Sequence, residues 1–243
     1  MNTVIGNMRK TIQEQNLFVS GDRVAVGLSG GKDSMALLHA LSQYKKYSPI
    51  SFDLEAITID LGFDNFDLTE AKRFCAHLDI PYHVIKTDIA KIVFEIRNEK
   101  NPCALCAKMR RGALAGAMSE LNLNILVLGH HEDDALSTFF LNMLYSGKLN
   151  TLEYKSTLSK TQITVTRPFL DTSESDIKGY ICKHEIPVLK SPCPMDRKTK
   201  REEVNQMLKI MFKQFPHSKV SMLTAMRNGE QCNLFNHNKA PHQ

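Results

Sequence analysis

The residues with chemistry in them fall in three stretches. The first is Val24-Ala25-Val26-Gly27-Leu28-Ser29-Gly30-Gly31-Lys32-Asp33-Ser34. Adjacent glycines let a backbone take positive φ and approach a ligand closely. A strand, a glycine turn and a helix start aim backbone N–H groups and Lys32 at one place, which suits phosphate or pyrophosphate. Lys32 is followed by Asp33, so this is not the common phosphate loop, which needs Gly, four residues, then Gly-Lys-Ser/Thr. The second stretch is Cys103-Ala104-Leu105-Cys106, with Cys193 far downstream between Pro192 and Pro194. Two cysteines three apart in a helix's first turn project from one face, and the positive helix end favours thiolates. Cys193, in a rigid turn, is the best third ligand. Three thiolates suit a four-iron cluster with one open iron, or zinc with an open position. The third stretch is Gly129-His130-His131-Glu132-Asp133-Asp134. The histidines are metal ligands by type, but a turn and packing role suits them better.

The elements that must position these groups alternate between strand and helix. The β-branched run at 24–27 reads as a buried parallel strand. A helix follows to about Tyr44, with Met35, Leu37, Leu38 and Leu41 at helical spacing. Strands are expected over 54–60, 82–87, 125–128 and 163–169. Helices are expected over 68–78, from Pro102 with Asn101 as N-cap, from 132 to about 144, and over 173–185, 198–214 and 219–227. Residues 145–161 read as an irregular polar insertion. The pattern predicts an α/β fold: an open parallel sheet with helices on both faces, plus a small C-terminal helical part. Ligands in such sheets bind beyond the carboxyl ends of the strands. Asp60 ends one strand, where it either faces a nucleotide ribose or caps a turn. The expected divisions are an N-terminal helix over 1–20, an ATP-binding α/β domain over 21–171, and a helical segment over 172–243.

With 243 residues and a formal charge of +5, the chain can bury a sizeable core, and a nucleic-acid partner is permitted rather than required. No apolar run approaches a membrane span and no signal peptide is evident, so a cytoplasmic protein is expected. The six cysteines then read as ligands, catalysts or core residues rather than disulfides. Cys75 and Cys182 are expected in the core.

The order Ser29-Gly30-Gly31-Lys32-Asp33-Ser34 resembles the pyrophosphate loop of the N-type ATP pyrophosphatases. The likeness narrows at Pro102-Cys103-Ala104-Leu105-Cys106, then Arg110-Arg111-Gly112, which is similar to the tRNA 2-thiocytidine synthetases. It continues through 128–134, Phe140-Leu141-Asn142-Met143, Arg167-Pro168, Cys193 and Cys232-Asn233-Leu234-Phe235. Residues 145–161 match poorly, and one cysteine stands where those enzymes tend to have two around Cys193. A sister family of 2-thiouridine synthetases shares the loop and the three cysteines but adds paired-cysteine zinc fingers, which this sequence lacks.

The resemblance implies adenylation of the 2-oxo oxygen of a tRNA pyrimidine, a cytidine in the anticodon loop, and its replacement by sulfur. Leu28 and Ser29 to Ser34, with Asp60, Gly129 and Asp134, would bind ATP, Lys32 neutralising phosphate charge. Asp33 or Asp134 would hold Mg2+; for Asp134 a helix-capping role competes. Gly129 would admit the nucleotide to the backbone. Lys32, Asp33, Asp134 and Cys193 are the implied catalytic residues. Cys103, Cys106 and Cys193 would hold a [4Fe-4S] cluster, with zinc as the lesser occupant. Arg110, Arg111, Lys198, Lys200 and Arg201 would contact tRNA, although basic helix faces are commonly just solvated. A cysteine desulfurase or other sulfide donor and a homodimer are the further implied partners, with no membrane. The alternatives are another pyrophosphatase of this fold (2-thiouridine, lysidine-type or small-molecule thiolation), or a non-catalytic metal- and RNA-binding protein. The intact lysine and aspartate of the loop favour an enzyme.

Overall fold

The computed structural model describes residues 3–97, 102–158, 161–195 and 199–228. Among them six strands form one sheet, in the order β3-β2-β1-β4-β6-β5. These are β1 (Arg23–Gly27), β2 (Asp53–Asp60), β3 (Tyr82–Lys86), β4 (Ile125–Val127), β5 (Lys155–Thr157) and β6 (Thr164–Thr166). All neighbours are parallel except β5, which lies antiparallel to β6. The buried Val24-Ala25-Val26 of β1 sits near the middle, because a run apolar on both faces is stable only with helices on both sides.

The helices are α1 (Thr3–Glu14), α2 (Lys32–Lys45), α3 (Thr69–His77), α4 (Ile89–Lys91), α5 (Pro102–Glu120), α6 (Glu132–Ser146), α7 (Glu174–His184), α8 (Lys200–Gln214) and α9 (Ser218–Arg227). On one face, Met35, Leu37, Leu38 and Leu41 of α2 pack with Val4, Met8 and Ile12 of α1 and with Ile177 and Tyr180 of α7. Helix α5 covers the opposite face through Ala115, Ala117 and Met118, against Ala25, Ile57 and Leu126. Leu136 of α6 meets Val204 and Leu208 of α8 and Leu223 of α9 in a third cluster. No helix among the described residues is long and apolar enough to cross a membrane.

The expected α/β fold is the one observed, with three local corrections. Residues 145–161 are not wholly irregular. Lys155-Ser156-Thr157 form the edge strand β5, whose polar side chains give no apolar alternation to read. The apolar run after β3, assigned no element from sequence, forms α4 and continues as a π-helical turn over Ile92–Ile96. Cys182, expected in the core, is exposed on α7, whereas Cys75 is buried. The expected N-cap Asn101 lies outside the described residues.

Candidate active site

The strand order reverses between β1 and β4, since β1 leads outward to β2 and β4 to β6. A crevice at that switch point is where open α/β sheets bind ligands. The loop Leu28–Gly31 leaves β1 there, and Leu128–His131 leaves β4.

The glycine loop is tied by its own serines. The Ser34 hydroxyl donates to Gly31 O at 2.9 Å, accepts the Ser29 N–H at 3.2 Å, and lies 3.1 Å from Ser29 Oγ. Leu28 O accepts the Thr58 hydroxyl at 2.5 Å, and Tyr82 donates to Thr58 at 2.8 Å, so β2 and β3 brace the loop's first residue. Gly30 has φ +79°, and its Cβ, if present, would stand 3.0 Å from Leu189 Cβ. Leu189 also donates its N–H to Gly30 O at 2.9 Å. The segment leading to Cys193 is thereby docked on the glycine loop.

At Gly129 a Cβ would fall 2.9 Å from the carbonyl carbon and oxygen of Asp33. The glycine thus admits the first turn of α2. Asp60 Oδ1 accepts the Gly62 N–H at 3.0 Å, the turn-capping role. Asp134 Oδ2 accepts the His131 N–H at 3.1 Å and so caps α6. His131 is buried, its Nε2 3.6 Å from Asp33 and 3.5 Å from Asp134. Burial pushes the His130 imidazole down to about 4, with Asp134 opposing and Arg167 and Arg201 assisting, so it is neutral at pH 7.

Lys32 Nζ lies 2.8 Å from Asp33 and 3.0 Å from Glu174 of α7. Burial works against its charge, but the two carboxylates raise its pKa above the ordinary value. Burial alone would raise Glu174, yet Lys178 and Lys32 hold it at about 2. Lys32, Asp33, Asp133, Asp134 and Glu174 face one cavity of about 300 Å³. Glu174 and Lys178 were not singled out in sequence. The legible signal was Ser173-Glu174-Ser175-Asp176, a helix start, which says nothing of what Glu174 reaches.

A second cavity, about 260 Å³, is lined in part by the glycine loop itself. Its wall includes Ser29, Gly31, Phe63, Cys106, Arg110 and Cys193. The structure thus brings two of the three candidate thiols to the loop. Burial pushes the Cys106 thiol up; Arg110 pulls it down, and Cys193 and Cys103 push it up again. At Cys106 burial is the largest of these influences and runs against the thiolate. Among the described residues no three His, Cys, Asp or Glu side chains form a ready metal site. The donor chemistry of three neighbouring thiols nonetheless fits a soft metal centre.

The chain matches the model of the PP-loop domain over residues 2–210. It is 35% identical over 222 residues to a tRNA-cytidine(32) 2-sulfurtransferase of Pelobacter propionicus, covering 90% of this chain and 82% of that protein. A namesake from Aliivibrio fischeri is 37% identical over 224 residues, 91% of this chain and 73% of the relative. The chain belongs to the tRNA 2-thiocytidine synthetase family of PP-loop proteins. Its fold is also that of the U34-tRNA thiolase NcsA from Methanococcus maripaludis, solved with its [4Fe-4S] cluster. That likeness has a TM-score of 0.75 at 24% identity and covers 92% of this chain and 78% of the thiolase.

For this PP-loop protein the candidate tRNA contacts are scattered in kind. Arg110 and Arg111 are exposed on α5, and Arg111 adds to the burial that lowers the Arg167 guanidinium. Lys200 pairs with Glu203 at 3.1 Å and lies 5.6 Å from the Tyr145 ring centroid. Arg201 donates to Thr138 Oγ1 at 3.1 Å and to Asp134 O at 3.4 Å. Lys198 lies outside the described residues, as does Cys232.

Proposed function

We propose that this PP-loop enzyme is an ATP-dependent tRNA sulfurtransferase that converts a cytidine of the anticodon loop to 2-thiocytidine, releasing AMP and pyrophosphate. The observation that carries the reading is the single cavity shared by the glycine loop, Cys106, Cys193 and Arg110. An adenylating loop and a thiol set facing one space is what oxygen-for-sulfur exchange at one atom requires.

The loop N–H groups and Lys32 receive the β- and γ-phosphates. The 2-oxo oxygen forms a bond to the α-phosphorus, the α–β bond breaks, and the electron pair leaves with pyrophosphate. Lys32 stabilises the charge that develops on that leaving group. Asp33 or Asp134 would hold Mg2+, an ion that takes one or two carboxylates plus phosphate. Cys103, Cys106 and Cys193 would hold a [4Fe-4S] cluster whose chemistry, when bound, is to deliver sulfide to the activated carbon as AMP departs with the former oxygen. Arg110, at the cavity wall, and Arg111 meet tRNA phosphate. The target base must leave its stack, which costs least in a loop. In this reading residues 21–171 bind ATP, and residues 172–243 contribute Cys193 and tRNA contact through Lys198, Lys200 and Arg201. A cysteine desulfurase or another sulfide source supplies the sulfur.

The test is anaerobic turnover with tRNA, ATP, Mg2+ and sulfide, followed by nucleoside mass spectrometry and pyrophosphate assay. Formation of 2-thiocytidine together with pyrophosphate is expected. Pyrophosphate release without thiolated tRNA would point instead to another substrate for the same adenylating loop.

A further inference from the structure

Lys32 meets two carboxylates of different origin. Asp33 is its chain neighbour, so that contact is local. Glu174 comes from α7, whose start is held in place by other groups. Ser173 Oγ accepts the Asp176 N–H at 3.0 Å, and the Glu174 N–H donates to Asp133 Oδ2 at 2.9 Å. Asp133 in turn meets Lys219 of α9 at 2.7 Å. The Glu174 backbone is thus fixed to the start of α6, and its carboxylate is aimed across the cavity at the lysine. One oxygen takes Lys32 at 3.0 Å; the other takes Lys178 at 2.9 Å.

That second partner matters. A half-buried carboxylate that lost its only cation would be costly to keep ionised. Glu174 keeps Lys178 when Lys32 turns away, so exchange of partners leaves neither carboxylate nor ammonium stranded. A polyphosphate arriving at the loop competes directly with Glu174 for the Lys32 ammonium. We propose that Glu174 is a positioning residue for Lys32: it holds the ammonium in the nucleotide-free enzyme, yields it to the β- and γ-phosphates of ATP, and reclaims it as pyrophosphate leaves. This rests on the pyrophosphatase reading and adds a product-release role to it. Glu174 need touch no reacting atom; it sets how tightly the loop retains its product.

The test is binding of magnesium pyrophosphate by titration calorimetry, with product inhibition of AMP formation measured alongside. Glu174→Gln keeps the size of the side chain and one acceptor oxygen but removes the competing charge. It is expected to bind pyrophosphate about threefold to tenfold more tightly, with the inhibition constant falling in step. Lys178→Met leaves Lys32 to carry all of Glu174's ion pairing and is expected to shift binding the opposite way. A helix start that mattered only for folding would not give opposite signs in the two variants. Unchanged or weaker pyrophosphate binding in Glu174→Gln, with wild-type binding intact, overturns this role alone. Wild-type protein that binds neither ATP nor pyrophosphate overturns the pyrophosphatase reading and this role with it.

Discussion

Lys32 is the residue proposed here to stabilise the leaving pyrophosphate, and its surroundings suit a point cation. It sits half-buried between Asp33 and Glu174, charged and held, in reach of the glycine loop. Lys32→Met removes the cation without adding bulk, and Glu174 keeps Lys178 as a partner. Pyrophosphate release is expected to slow by about 10²–10³-fold while thermal unfolding changes little. Loss of folding in that variant, or retention of full rate, contradicts the assignment. The strand, glycine turn and helix around Lys32 were legible in the sequence because they agree with one another. The packing of α2 on Gly129 was not, because a glycine that admits a neighbouring backbone looks the same in sequence as any other; the 2.9 Å approach to Asp33 is seen only in the fold.

At the scale of elements, α7 is the helix that brings Glu174 to the lysine following the glycine loop. Its Ser173 N-cap bond satisfies an otherwise unpaired N–H and fixes where Glu174 begins. Ser173→Ala is expected to cost about 1 kcal/mol in urea unfolding and to weaken the pairing of Lys32 with Glu174. A stability change near zero would show that water replaces the cap without penalty. Helices and central strands were legible from apolar periodicity, as in α2 with Met35, Leu37, Leu38 and Leu41. The edge strand β5 was not, because Lys155, Ser156 and Thr157 are all polar and show no apolar alternation. The exposure of Cys182 was missed for a related reason: a cysteine on a helix is counted as apolar until the neighbouring elements show which face is covered.

At the scale of the whole molecule, the titrating groups predict how the fold responds to acid. Burial pushes His39 down from 6.5 to about 4, with His184, Lys46 and His77 adding like charge, and His130 is lowered to about 4. Both are neutral in the folded state where the unfolded chain would already take a proton. Between pH 6.5 and about 4 the unfolded state therefore binds more protons, and stability falls as pH falls. Glu174, held at about 2 against an ordinary 4.5, extends the loss below pH 4.5. Urea midpoints measured at pH 7.5, 6 and 5 are expected to decline in that order; a flat profile over that range contradicts the neutral, partly buried histidines. The same scale accounts for the separation of Cys103 and Cys106 from Cys193 in the chain. Leu189 fastens the second segment to Gly30, so a rigid loop gathers groups that sequence keeps far apart.

The measurement that bears most directly on sulfur transfer is the iron and acid-labile sulfide content, with the visible spectrum, of protein purified without oxygen. Cys193→Ser prepared in the same way is the comparison. Brown protein with near-equal iron and sulfide, both lost in the variant, is the result predicted. Colourless protein that holds zinc, or that takes up no metal on anaerobic reconstitution, would contradict the three-cysteine cluster and leave an adenylating enzyme without its sulfur-carrying centre.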